Sequence, residues 1–144
     1  MQKRNLIVLM AFIIKNVFAV SESLIPMSKK QIEQEILNKT LISIPTDNLN
    51  GKTINNTFSM YMDNKKTVLG KMQIKPMNQP QSDIGEYSIL SDGTVYFTWQ
   101  HWDMAKKLCF HIYQTANSYI SIGCDQVFHT AFMKSNIQIG NHLQ

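Results

Sequence analysis

The chain has 144 residues, 44% hydrophobic and 17% charged, with 14 Lys and Arg against 10 Asp and Glu. Lys3, Arg4 and Lys15 fall in the first fifteen residues, and without them the balance is 11 against 10. What remains is scattered pairs, Lys29-Lys30, Lys65-Lys66 and Lys106-Lys107, not the clustered excess that nucleic acid demands, so nucleic acid is excluded as an expected partner.

The first element is a leader. Met1-Gln2-Lys3-Arg4 is a basic start, Leu6 to Ile14 is apolar throughout, and Val17-Phe18-Ala19 offers the residues a signal peptidase inspects. The competing reading is a transmembrane anchor, but this run is about half of the roughly 20 apolar residues that a spanning helix needs. Residues 1–19 are expected to be a cleaved signal peptide. The product is then a chain of about 125 residues outside the cytoplasm, periplasmic or secreted, with no membrane span. No cysteine stands at the cleavage point to carry a lipid.

Residues 20–48 form an N-terminal segment. Ser28 with Gln31 three positions on is a capping-box pattern, and Ile32, Ile36 and Leu37 recur at helical spacing, so a short helix is expected over 28–38. Pro45 to Gly51 reads as a turn-rich link. A β domain is expected over 49–144, because the pattern becomes short and β-like: Lys52 to Met62, a turn at Asp63-Asn64-Lys65-Lys66, then Thr67 to Lys75 with a bulge expected at Gly70. Pro76 to Ser82 is a loop. Gly85 to Leu90 leads through Ser91-Asp92-Gly93, a tight-turn signal, into Thr94 to Gln100, where Val95, Phe97 and Trp99 share one face. Leu108 to Gln114 alternates too, with Leu108, Phe110 and Ile112 opposed to Cys109, His111 and Tyr113. Tyr119 to Cys124, Val127 to Met133 and Asn136 to Ile139 complete the set. About seven or eight short strands at this spacing argue a mainly β fold, an antiparallel meander as a barrel or curved sheet, with one short N-terminal helix.

Cys109 and Cys124 are the two cysteines. In an oxidising compartment they are expected to form one disulfide, against the alternative of two buried thiols. A two-residue turn at Ala116-Asn117 makes paired positions sum to 233, which sets Cys109 opposite Cys124, His111 opposite Ile122 and Tyr113 opposite Ile120. Directly opposed Cβ atoms lie about 5 Å apart. That register makes the cysteines a hydrogen-bonded pair, the wider kind. Such a link would stabilise the fold by roughly 3 kcal/mol.

Four stretches, Leu49-Asn50-Gly51-Lys52-Thr53-Ile54, Gly85-Glu86-Tyr87-Ser88-Ile89-Leu90-Ser91-Asp92-Gly93, Cys109-Phe110-x-x-Tyr113 and Ile139-Gly140-Asn141, resemble a family of small secreted bacterial proteins of unknown function. The resemblance covers roughly residues 49–141 and rests mostly on turn and core residues. It implies a lipocalin-like β-meander and a bacterial source, and no activity.

Candidate chemistry is sparse. Gly51-Lys52-Thr53 resembles the end of a phosphate loop, but position 46 is Thr where that loop needs Gly. His101, His111, His129 and His142 show no helical ligand spacing, and no metal is expected. No Gly-x-Ser-x-Gly elbow is present. Asp83, Glu86, Asp92 and Asp103 are candidate carboxylates, with Asp83 and Asp92 in turn-like sequence where Asp bonds its own backbone. Asn38-Lys39-Thr40 and Asn55-Asn56-Thr57 fit the glycan-acceptor pattern and are expected bare. The most unusual stretch is Trp99-Gln100-His101-Trp102: aromatics at a strand end line pocket mouths or partner surfaces, or simply cap the core. Trp99, His101, Trp102 and Tyr113 are therefore the expected ligand-binding residues, with Tyr61, Tyr96 and Tyr119 as extensions. The expectation is a non-enzymatic, exported domain that binds a small ligand or a protein partner, without cofactor. Two other classes stay open: a small secreted hydrolase pairing a carboxylate with His101 or His111, and an envelope or host-directed interaction protein without a pocket.

Overall fold

The computed structural model describes residues 24–44, 47–49, 52–54, 57–73 and 79–143, so the expected leader over 1–19 lies outside the described residues. The elements in chain order are α1 (Lys29–Glu35), β1 (Lys39–Ile42), β2 (Asp47–Leu49), β3 (Lys52–Ile54), β4 (Thr57–Met62), β5 (Thr67–Gln73), β6 (Gln81–Ile89), β7 (Val95–Trp99), β8 (Lys107–Gln114), β9 (Ser118–Gly123), β10 (Phe128–Met133) and β11 (Gln138–Ile139). Nine strands form one antiparallel sheet in the order β10-β9-β8-β7-β6-β5-β4-β1-β11, and β2 and β3 pair as a separate hairpin. The fold is mainly β with one short helix, as the strand pattern indicates.

The sheet curls into a half-barrel that brings the edge strand β10 against the end of β1. Ser43, just past β1, bridges Phe132 on β10, and the Ile44 N–H donates to the Ala131 carbonyl at 2.8 Å. Right-handed twist makes such curling the natural outcome for a meander of this many strands. Alternation then sends one residue set inward: Val95, Phe97 and Trp99 from β7, Phe110 and Ile112 from β8, and Tyr119 from β9 are all buried.

The register between β8 and β9 places His111 opposite Ile122 and Tyr113 opposite Ile120, as the turn at 116–117 requires. Cys109 and Cys124 form a disulfide with Cα atoms 5.5 Å apart, and the Cys124 N–H donates to the Cys109 carbonyl at 3.0 Å. At the Asp-Gly turn, Gly93 takes φ 89° and the Asp92 carboxylate accepts the Thr94 N–H at 2.9 Å. The close approach of the Met27 carbonyl to Gly93 leaves no room for a Cβ there.

Helix α1 closes one end. Ser28 and Gln31 form the capping box read from the sequence. The helix stops at Glu35, earlier than its apolar period suggests, with Ile36 as its C-cap still bonded to the Ile32 carbonyl, because Asn38 (φ 59°) reverses the chain into β1. Lys39 then donates to the Gln34 and Glu35 carbonyls at 3.1 and 2.9 Å, satisfying groups the helix leaves open. Met27, Ile32 and Ile36 are buried in the core.

Three local expectations change. The sheet begins at Lys39, ahead of the β-like region read from residue 49, and a further hairpin strand, β2, falls within the stretch read as a link. Gly70 carries no bulge, since Met60, Gly70 and Asp83 pair in regular register; the irregularity lies between Phe128 and Thr130. Asp83 is not in a turn but inside β6, buried.

Candidate functional site

The inward residues do not fill the curled sheet. They leave a cavity of about 250 Å³. That is at the small end for ligand sites, typically about 300–1,000 Å³. Its walls are Leu41, Phe58, Met60, Met72, Phe97, Trp99, Leu108, Phe110, Ile112, Tyr119 and Phe132, with Ile36 reaching in from beyond α1. Ser43, Asp103, Ser121, His129 and Thr130 supply the polar lining. The rings form a chain: Phe132 to Phe58 at 6.3 Å, Phe58 to Trp102 at 6.2 Å, Trp102 to Trp99 at 5.0 Å, Trp99 to Phe97 at 6.0 Å and Phe97 to Phe110 at 5.4 Å. His129 stands perpendicular to Phe110 at 4.6 Å.

Gly70 makes the tryptophan pair possible. A Cβ there would lie 2.6 Å from Trp102 and 2.8 Å from Trp99. This is a close-approach glycine, with its reason in side chains some 30 residues downstream.

The segment after β7 carries Trp102 and Asp103 onto the cavity, and Asp83 holds it there. Asp83 Oδ2 accepts the backbone N–H groups of His101 and Trp102, both at 2.8 Å, and Oδ1 accepts that of Ile84 at 2.9 Å and lies 3.0 Å from His101 Nδ1. Burial pushes the Asp83 pKa up, but the N–H donors of Trp102 and His101, the His101 ring and the Ile84 N–H outweigh it and hold the carboxyl down at about 2. Beyond this anchor, Asp103, Met104 and Ala105 all take positive φ, at 52°, 56° and 54°. Three consecutive non-glycine residues in the left-handed region cost about 1–2 kcal/mol each. Strain of this kind concentrates at ligand clamps and active sites.

At the opposite wall the Tyr119 hydroxyl donates to Glu35 at 2.9 Å. Burial first, then the Glu35 carboxylate, raises the Tyr119 pKa to about 12, so a neutral phenol lines the cavity at physiological pH.

Of the four residues expected to bind ligand, Trp99 and Trp102 meet on the cavity and His101 and Tyr113 do not. The His101 side chain is 75% exposed and turned to Asp83. Tyr113 shares the outward face of β8 with Cys109 and His111, whereas the wall takes Leu108, Phe110 and Ile112. Tyr119, read as an extension, lines the interior; Tyr96 lies outside with the Lys107 ammonium 4.2 Å above its ring. Asp103, one of the candidate carboxylates, lines the cavity; Phe58, Met60 and Phe132 had no local signal, but the alternation of β7 and β8 already pointed at Phe97 and Phe110.

A carboxylate–histidine pair thus exists, but its chemistry is structural. Both Asp83 oxygens are occupied by backbone donors, the Asp83 side chain is 1% exposed, and His101 is outside the cavity. Among the described residues no group of three or more His, Cys, Asp or Glu converges to hold a metal ion, and no helix is long and apolar enough to cross a membrane. His111 lies beside the disulfide, Nε2 3.8 Å from Cys124 Sγ, with a buried Nδ1 that has no partner.

Compared with known proteins, the chain matches no family model, no curated protein and no solved structure.

Proposed function

We propose that this chain is an exported, non-enzymatic protein that binds one small, largely apolar ligand inside the curled sheet. The observation that carries the reading is the aromatic-walled cavity of about 250 Å³. A core of well-fitting side chains closes voids larger than a water molecule, because each lost contact weakens packing. Retaining such a space, bordered by Ile36 just past α1 and by the strained, anchored segment that carries Trp102 and Asp103, is what a binding site needs and what a purely structural sheet does not. The leader-like residues 1–19 and the disulfide support export, and the likeness to small secreted bacterial proteins points the same way.

The competing reading, a hydrolase, has the Asp83–His101 contact in its favour. The commitment of Asp83 to backbone donors argues against it, since a general base needs a free lone pair within reach of substrate.

The test is titration with N-phenylnaphthylamine, a neutral fluorescent apolar probe. Saturable one-to-one enhancement is expected, lost in Ser121→Phe, which fills the cavity from β9, and weakened in Trp102→Ala with the fold retained by circular dichroism. Enhancement that survives Ser121→Phe in a folded protein places the probe elsewhere and overturns the reading.

A further inference from the structure

We infer that the cavity selects a small cationic amphiphile, an amine on an apolar body, over a carboxylate of the same size. This deepens the binding role proposed above and rests on it. The cavity bears one acid and, among the described residues, neither Lys nor Arg. That acid, Asp103, is exposed at the rim and makes no salt bridge among the described residues, where the pairs are Lys29–Glu33 and Asp83–His101. Lys107, four residues on, is engaged over the Tyr96 ring. An anionic ligand would therefore leave water for a site with no cation to receive it, beside a carboxylate that repels it.

The apolar walls favour the cation as well. Trp99, Trp102 and Phe58 surround one corner, with ring centroids 5.0 to 6.3 Å apart. Aromatic faces carry negative charge density, and clusters of them hold ammonium groups. Asp103 directly follows Trp102, so one short segment supplies both a ring and the counter-charge. The left-handed backbone at Asp103 (φ 52°) is what brings the carboxylate to the rim instead of letting the chain run on. Asp tolerates this conformation, but Met104 and Ala105 continue it at a cost, and such strain is retained where it positions something.

The experiment is calorimetric titration of the full chain with phenylbutylamine, phenylbutanol and phenylbutyrate at pH 8, above the ordinary histidine range. The three share a body and differ in charge. The amine is expected to bind at least about tenfold tighter than the carboxylate, with the alcohol between. Asp103→Asn keeps a residue that tolerates the left-handed region. It should remove most of the advantage of the amine over the alcohol, leaving the part the aromatic rings supply, and change the alcohol little. If the alcohol binds but the amine gains nothing over the carboxylate, or keeps its full advantage in Asp103→Asn, the charge inference is overturned and the cavity reading stands. If none of the three binds, the cavity reading falls, and this inference with it.

Discussion

The two ends of the curled sheet are built on opposite rules. At the end closed by α1, local preference and tertiary packing agree. The capping box starts the helix, Lys39 satisfies its last carbonyls, and Ile32 and Ile36 insert into the core. The other end, where β7 passes into β8, breaks local preference three times in succession at 103–105 and leaves Met104 77% exposed. Asp83 anchors it by binding two backbone groups of that connection. The lesson is that one end is optimised for stability and the other for a shape. Consistency across levels marks a fold, and departures from it mark sites.

The largest expected effect lies at the closed end. Ile32→Ala removes a fully buried side chain and should cost about 3 kcal/mol in chemical denaturation while leaving probe affinity per folded molecule nearly unchanged. A variant that lost binding without losing stability would blur the division between the ends. Next is the anchor. Asp83→Ala leaves buried N–H donors without acceptors and should cost about 2–3 kcal/mol, with amide exchange rising over 100–106 before the rest of the sheet. The same group has a pH signature. Its pKa in the folded chain, about 2, is below the ordinary 3.8, so its stabilisation is complete above about pH 4 and is lost as pH falls through 2. Tryptophan emission followed from pH 5 to 2 should shift red late in that range; a transition centred well above pH 4 would assign it to another group.

Gly70→Ala should cost about 1–3 kcal/mol by overpacking and displace the tryptophans, read as an emission shift with the disulfide intact. The smallest effect has the opposite sign. Met104→Gly relieves left-handed strain at an exposed position and should raise stability by about 0.5–1 kcal/mol, while loosening the rim and weakening ligand binding. A stabilised variant with unchanged affinity would show that the strain at 104 is not used for binding.

These ends also differ in how much of them could be read from sequence. The meander, the turn at 91–93, the β8–β9 register and the disulfide were legible because each depends on residues near one another in the chain. The helix start was legible for the same reason. β1 was not: Thr40 to Ile42 follows the helical period directly, and its partners β4 and β11, distant in the chain, make it a strand. Asp83 was read as a turn residue because nothing around it signals donors 18 and 19 positions away. For Gly70 the reason was a pair of rings far along the chain, and Gly alone suggested a bulge. Tyr113 was placed at the site by its type, although the alternation of its own strand turns it away with Cys109. The left-handed run had little local mark: Asp103 tolerates such backbone, but Met104 and Ala105 are residues that do not favour it.

The disulfide has one more implication. Cys109 and Cys124 join β8 to β9 at the end that carries Trp102, and Phe110, beside Cys109, and Ser121 on the joined strand line the cavity. If the cavity takes a ligand as proposed, fixing these two strands fixes part of its wall, and ligand affinity and oxidation state are then thermodynamically linked, in both directions. The ligand-bound protein should then need a more strongly reducing thiol buffer than the free one to open the disulfide at equilibrium, by the same factor by which reduction weakens ligand binding.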